Sequence, residues 1–201
     1  MSKISIKNLK IKEYKKVELL MFNFVKSNYK KNIEEIWMLQ HYNVYTIGSS
    51  EKIKNKFING IPIIKSSRGG KITFHGPGQQ IIYFLLNIKR RKLIISNFIK
   101  LLKEIVIRSL NELNILCDIN DMPGIYINGR KICSIGLRIK NGYSLHGLSL
   151  NVKMNMKYFK YIHPCGYKNL KMLQISDLIP NINIVNVRKI LTRNILYFFK
   201  K

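Results

Sequence analysis

"RGGKITFHGPGQQIIYFLLNI", residues 68–88, places four glycines, a proline and a histidine in its first eleven positions and then runs into an apolar stretch. Glycine and proline at that density exclude a helix, while the apolar run has the length and β-branched content of a buried strand. Gly69, Gly70, Gly76 and Gly78 permit positive φ and remove side chains that would block a close-packed ligand. Backbone N–H groups exposed in such a loop can bind an anion or a developing oxyanion. The pattern is neither GxGxxG nor GxxxxGK[ST], so it makes no claim on a nucleotide. Taken alone the glycines fit an ordinary hairpin equally well, and a lone histidine such as His75 is more often structural than catalytic.

The segments on either side define the fold class. Residues 13–26 carry Tyr14, Val17, Met21, Phe24 and Val25 at helical spacing. "EEIWMLQH" (34–41), "VYTIG" (44–48) and "GIPII" (60–64) read as strands before the glycines, and "QQIIYFLLNI" (79–88) as one after them. Residues 92–116 predict a helix with Ile95, Phe98, Leu102, Ile105, Val106, Leu110 and Leu113 on one face. "GIYIN" (124–128), "KICSIGLRI" (131–139) and "YSLHGLSLNV" (143–152) predict three more strands, with Asn128-Gly129 and Asn141-Gly142 as hairpin turns. A last helix is predicted at 185–199, with Val187, Leu191, Ile195 and Phe198 inward. The expected architecture is α+β: a single mixed, largely antiparallel sheet flanked by helices.

Size and composition set further bounds. At 201 residues the chain reads as a single domain, 1–201, and 46% hydrophobic residues argue against disorder. No apolar run approaches the ~18 residues of a membrane span, and "MSKISIKNLKIKEYKK" has no secretory pattern. Cys117, Cys133 and Cys165 form no CxxC pair, which argues against disulfides or a structural metal site and for reduced thiols in the cytoplasm. Thirty-six Lys and Arg against ten Asp and Glu leave a net charge of +26. Two accounts of that excess stand: an acidic partner, or drift in a chain saturated with Lys, Asn and Ile.

With the glycine stretch, "PGIYINGRKICSIGLRIKNGYSLHGLSLNV" (123–152) and "IHPCGYKNLKMLQISDL" (162–178) complete three long blocks in a fixed order. Together they resemble the octanoyltransferases, the lipoate-protein ligase B family, over roughly residues 13–180. The chain departs from the commoner family residues at Lys71, Phe74, Ser149 and His163. The resemblance implies the catalytic module shared with biotin and lipoate protein ligases. It implies transfer of an octanoyl group from octanoyl-acyl carrier protein to a lysine of lipoyl domains, in 2-oxoacid dehydrogenase complexes and in the glycine cleavage H protein. No cofactor, metal, nucleic acid or membrane is implied, and the expected state is a monomer.

The same resemblance assigns roles. Cys165, in the "HPCGY" turn, would carry the acyl group as a thioester, and Lys131, which opens "KICSIG", would serve as general acid and base. A thiol with pKa ~8.5 is only a few per cent thiolate at pH 7, so a neighbouring ammonium has chemical work to do. Substrate binding would fall to Arg68, Gly69, Gly70, Lys71, Ile72, Thr73, Phe74 and His75, to Ser134, Ile135 and Gly136, and to His146, Gly147, Leu148 and Ser149. Oxyanion donors are expected near Gly76–Gly78 or around Cys165, and Cys117 and Cys133 are expected in the core. The nearest rival is a ligase on the same fold, which would adenylate a free acid with ATP and need no cysteine. A nucleic-acid-binding reading rests on charge alone, since no RNA-binding motif appears.

Overall fold

The computed structural model describes residues 4–28, 30–51, 55–120, 122–167 and 169–199, and of Cys165 the backbone alone. In chain order the elements are β1 (Ile4–Lys12), α1 (Tyr14–Asn28), β2 (Glu34–His41), β3 (Val44–Ile47), β4 (Phe57–Ile58), β5 (Ile61–Lys65), β6 (Thr73–His75) and β7 (Gln79–Leu85). Then follow α2 (Ile95–Asn111), β8 (Ile125–Ile127), β9 (Arg130–Lys140), β10 (Tyr143–Asn151) and α3 (Ile184–Phe199). Six strands form the main sheet in the order β1-β2-β7-β10-β9-β8, parallel only between β1 and β2. The remaining four form a second sheet, β4-β5-β3-β6.

Strand β7 reads as a continuous apolar run because both faces of the sheet are covered. Ile82 and Phe84 point into the core beneath α2 and α3, while Ile81, Tyr83 and Leu85 point into the core beneath α1. Ile36 and Met38 of β2 alternate with Trp37 and Leu39 in the same way. Helix α2 adds Phe98, Leu102, Ile105, Val106 and Leu110 to the larger core, and α3 adds Val187, Leu191 and Ile195. Each such side chain contributes about 1.5–3 kcal/mol on burial. A third cluster, with Tyr45, Ile47, Phe74 and Phe159, fills the space between the small sheet and a 3₁₀ turn at Met156–Tyr161.

The fold class is as expected, but the strands divide between two sheets where a single sheet was predicted. The strands of the small sheet, none longer than 5 residues, are too short to carry a clear period. Strand β1 was not predicted. It is an edge strand whose Ile4, Ile6, Leu9 and Ile11 are only half-buried between exposed polar residues, with a bulge between Asn8 and Lys10. Helix α2 is shorter than 92–116. Lys92 has φ +52° and Asn114 φ +57°, both left-handed, and Ile95 in the first turn is half-exposed. Both Asn-Gly pairs form the expected turns, with positive φ at Asn128, Gly129, Asn141 and Gly142.

Leu102 is fully buried, so Leu102→Ala should lower unfolding stability by about 2–5 kcal/mol in urea titration. Leu116 is 79% exposed, and Leu116→Ala should lie within about 0.5 kcal/mol of the parent. Equal effects at both positions would contradict the core assignment.

Candidate active site

The glycine stretch forms one wall of a cavity of about 280 Å³. That volume lies near the lower end of the range of ligand sites, about 300–1,000 Å³. Arg68, Gly69, Gly70, Lys71, Ile72, Thr73 and His75 line it from this side. From β9 come Lys131, Ser134, Ile135 and Gly136, and from β10 come His146, Gly147, Leu148 and Ser149. Phe74, expected with them, lies on the other face of β6, where alternation sends it into the third cluster against Tyr45, Tyr158 and Phe159. Tyr14, Ser50, Ile81, Tyr83, Pro123 and Tyr167 also line the cavity and were not singled out from sequence. Tyr14 carried a signal, as an inward position of an amphipathic helix, but that pattern does not separate core from cavity.

The glycines divide by purpose. Gly69 and Gly70 face the cavity, but Gly76 and Gly78 do not. A methyl group on Gly78, at φ +86°, would fall 1.8 Å from the Lys153 carbonyl oxygen, so glycine there is required by the chain's own main-chain packing. Its N–H already donates to Gln40 Oε1 at 2.7 Å. The expected oxyanion donor at Gly78 is therefore corrected: that group is committed elsewhere.

Lys131 is 1% exposed and sits at the cavity wall. Its Nζ donates to the Pro123 carbonyl at 2.5 Å and lies 5.3 Å from the Tyr126 ring centroid, two contacts that offset the burial of a cation. Gly124 makes this course possible, since a methyl group there would meet Lys131 Cε at 2.6 Å. The main chain of Lys131 is also tied. Its N–H donates to Lys171 O at 2.9 Å and its carbonyl accepts from Leu173 N at 2.8 Å. These bonds draw the segment after Cys165 onto the start of β9.

The backbone of Cys165 lies in the 3₁₀ turn Pro164–Gly166, closed by Gly166 N–H to His163 O at 2.8 Å and Tyr167 N–H to Pro164 O at 3.2 Å. Its side chain, the expected nucleophile, lies outside the described structure. Tyr167, two residues on, lines the same cavity as Lys131. His163 is exposed and does not line the cavity. Burial pushes the Cys117 thiol up to about 11 and the Cys133 thiol up to about 12, so neither is a ready thiolate.

Behind the cavity the polar groups are chained together. Arg68 Nη2 donates to Thr46 Oγ1, Thr46 faces His75 Nε2, and His75 Nδ1 donates to Gln79 Oε1. Gln79 donates to Asn151, and Asn151 donates to the Leu173 carbonyl. Ser67 donates to Glu18 and accepts from His146 Nε2, which leaves His146 Nδ1 a buried lone pair with no partner among the described residues. His146 also holds φ +62°, an uncommon backbone for a residue other than glycine. Burial lowers His146 to about 3 and His41 to about 4, and His75 well below its usual value, with the neighbouring Arg68 acting in the same direction on His75 and His146. All three imidazoles are neutral at pH 7.

Comparison with known proteins converges. The family model described as "Lipoyl protein ligase A/B catalytic domain" matches residues 16–196. An octanoyltransferase of Wigglesworthia glossinidia brevipalpis is 51% identical over 185 residues, 92% of this chain and 86% of the relative. Those of Buchnera aphidicola (46% identical, 98% and 94%) and Escherichia coli (42% identical, 96% and 92%) are similar across nearly their whole lengths. Among solved structures, a lipoate-protein ligase A bound with ATP superposes with TM-score 0.76 at 14% identity, covering 99% of this chain and 85% of that one. A biotin protein ligase of Aquifex aeolicus superposes at 0.53 and 11% identity, covering 100% and 70%. At those identities the likeness concerns the fold.

Three imidazoles held neutral set a pH dependence. Their folded pKa values lie below the unfolded value of about 6.5, so the unfolded chain takes up protons that the fold refuses. Stability should be complete above about pH 6.5 and fall as pH drops toward 4, the value for His41, with a further loss toward 3 for His146. Urea midpoints across pH 7.5 to 4 should trace this decline, and His146→Asn should flatten part of it. A His146→Asn slope equal to that of the parent would remove His146 from the decline and leave it to His41 and His75.

Proposed function

This chain belongs to the lipoyl protein ligase A/B catalytic family and, within it, to the octanoyltransferases, and on that premise we propose how it carries out its reaction. It transfers octanoyl groups in lipoate biosynthesis, and in our reading it takes them from acyl carrier protein and delivers them to lipoyl domains. In our reading the whole chain acts as one monomeric catalytic domain in the cytoplasm. Its acceptors are the lipoyl domains of 2-oxoacid dehydrogenase complexes and the glycine cleavage H protein.

Cys165, as thiolate, attacks the carbonyl carbon of the octanoyl thioester on the carrier. The tetrahedral intermediate collapses with cleavage of the C–S bond to pantetheine, leaving octanoyl-Cys165. The departing pantetheine sulfur takes a proton from the Lys131 ammonium. The neutral ε-amine of the acceptor lysine then attacks the octanoyl-Cys165 carbonyl, passes its extra proton to Lys131 and releases Cys165 as thiolate. The enzyme returns to its starting charge state, and the product is an amide. Because an amide is more stable than a thioester, the transfer needs no nucleotide. The Gly78 N–H is not the oxyanion donor, since it is donated to Gln40, and the Gly166 and Tyr167 N–H groups are taken up in closing the turn that carries Cys165.

One observation carries this reading. A buried lysine ammonium stands in the wall of a small cavity whose lining also includes Tyr167, from the segment that carries Cys165. Ile72, Ile81, Ile135 and Leu148 give the remaining wall apolar surface for an acyl chain. Burial of its methylenes at ~0.8 kcal/mol each amounts to roughly 5 kcal/mol.

Incubating the protein with octanoyl-loaded carrier, without ATP, should add one octanoyl group in the intact mass, mapped by peptide analysis to Cys165. Cys165→Ser should gain nothing, and Lys131→Ala should form the acyl-enzyme at least tenfold more slowly. Normal acylation of Lys131→Ala would reject the lysine's role, and an ATP requirement would favour a ligase. With a net charge of +26, association with acidic carriers should slow as salt rises. A salt-independent rate would remove charge from the docking step.

A further inference from the structure

A second lysine of the cavity lining reaches the cysteine-bearing turn. Lys71 follows Gly70, whose φ of +85° turns the chain at the cavity edge, and it lines the same cavity as Lys131. A methyl group on Gly166 would fall 2.5 Å from Lys71 Nζ, 2.6 Å from its Cδ and 2.9 Å from its Cε. The lysine stem therefore lies flat across Gly166, the residue after Cys165, and its ammonium touches the backbone of the turn. Gly166 itself has φ +79°. Glycine there satisfies both a left-handed turn and a cation passing over it.

We propose that Lys71, lying across the turn that carries Cys165, is a second cation of the thiol site and favours the Cys165 thiolate. The inference rests on Cys165 being the acyl carrier, as argued above. The two lysines differ in setting. Lys131 is buried and held by a carbonyl and an aromatic ring, whereas Lys71 is exposed. None of the ion pairs among the described residues uses Lys71.

This division suits the reaction. Lys131 gives up its proton to the departing sulfur and is neutral until the acceptor amine returns one. A cation that takes no part in proton transfer keeps the site positive throughout that interval. It also disfavours entry of the acceptor lysine as an ammonium and selects its neutral, nucleophilic form. The other titratable groups about the turn are His163 and Tyr167 on its own segment, Tyr126 and Lys131 from the main sheet, Lys171 beyond the turn, and Glu51, which accepts from Ile72 N–H. Glu51 is the one acid in that set, and its carboxylate is engaged by the Ile72 N–H.

The test is the pH dependence of Cys165 alkylation by iodoacetamide, read by intact mass and peptide mapping, in the parent, Lys71→Gln and Lys71→Arg. A unit charge near van der Waals contact in a solvated setting corresponds to about half to one pH unit. Lys71→Gln should move the alkylation midpoint up by that amount, leaving about three- to tenfold less thiolate below it. Lys71→Arg should restore the parent midpoint, and 1 M salt should shrink the difference between parent and Lys71→Gln. An unchanged midpoint in Lys71→Gln, or the same rise in Lys71→Arg, overturns the proposal while leaving the transferase reading intact. Failure of octanoyl-loaded carrier to acylate Cys165 in the parent overturns the transferase reading itself, whatever the midpoints show.

Discussion

A buried polar group without a partner costs about 1–3 kcal/mol, and one continuous line of hydrogen-bonded groups holds this site together. It runs from Arg68 through Thr46, His75, Gln79 and Asn151 to the Leu173 carbonyl. Leu173 N–H in turn binds the Lys131 carbonyl. The glycine stretch, the small sheet, the middle of the main sheet and the segment beyond Cys165 are thus members of one network. Loss of any link strands a donor or acceptor away from water, so the network is satisfied as a whole or penalised as a whole. His75 is its hinge: neutral, committed at both ring nitrogens, and useful because it does not titrate near pH 7.

Against that rigid frame, the reactive edge is built from glycine and lysine. Gly124 lets the Lys131 stem pass, and Gly166 lets the Lys71 stem pass. In each case a missing side chain sits beside a long cationic one, and the ammonium is delivered to a place that a Cβ would have closed. This pairing sets two lysines apart in a chain so rich in that residue. Position is set by where the backbone is bare, not by where lysine happens to be abundant.

The acids are few and correspondingly committed. Glu34 is fully buried and takes Arg91 through both carboxylate oxygens, at 2.9 and 2.6 Å, and also accepts from Asn87 N–H. Glu18 accepts from Ser67 N–H and Oγ beside His146. Such carboxylates are occupied inside the fold and do little to neutralise the surface. The positive field outside is therefore close to what the residue count implies, whether selection or composition put it there.

Strand and helix identity in the middle of the chain were legible because periodicity reports burial directly. β7 and β2 are apolar on both faces since helices cover both, and α2 and α3 repeat at 3.6 residues since only one face is buried. The Asn-Gly turns were legible because few other pairs tolerate two successive positive φ values. Cys165, Lys131 and most of the cavity residues could be named from family likeness alone. What the sequence could not contain was the second sheet, the turn of Phe74 away from the cavity into the third cluster, the main-chain reason for Gly78, or the approach of Lys71 to Gly166. Local pattern records whether a residue is buried. Which distant segment buries it is decided by hydrogen bonds and packing between parts of the chain far apart in sequence, and those exist only once the chain has folded.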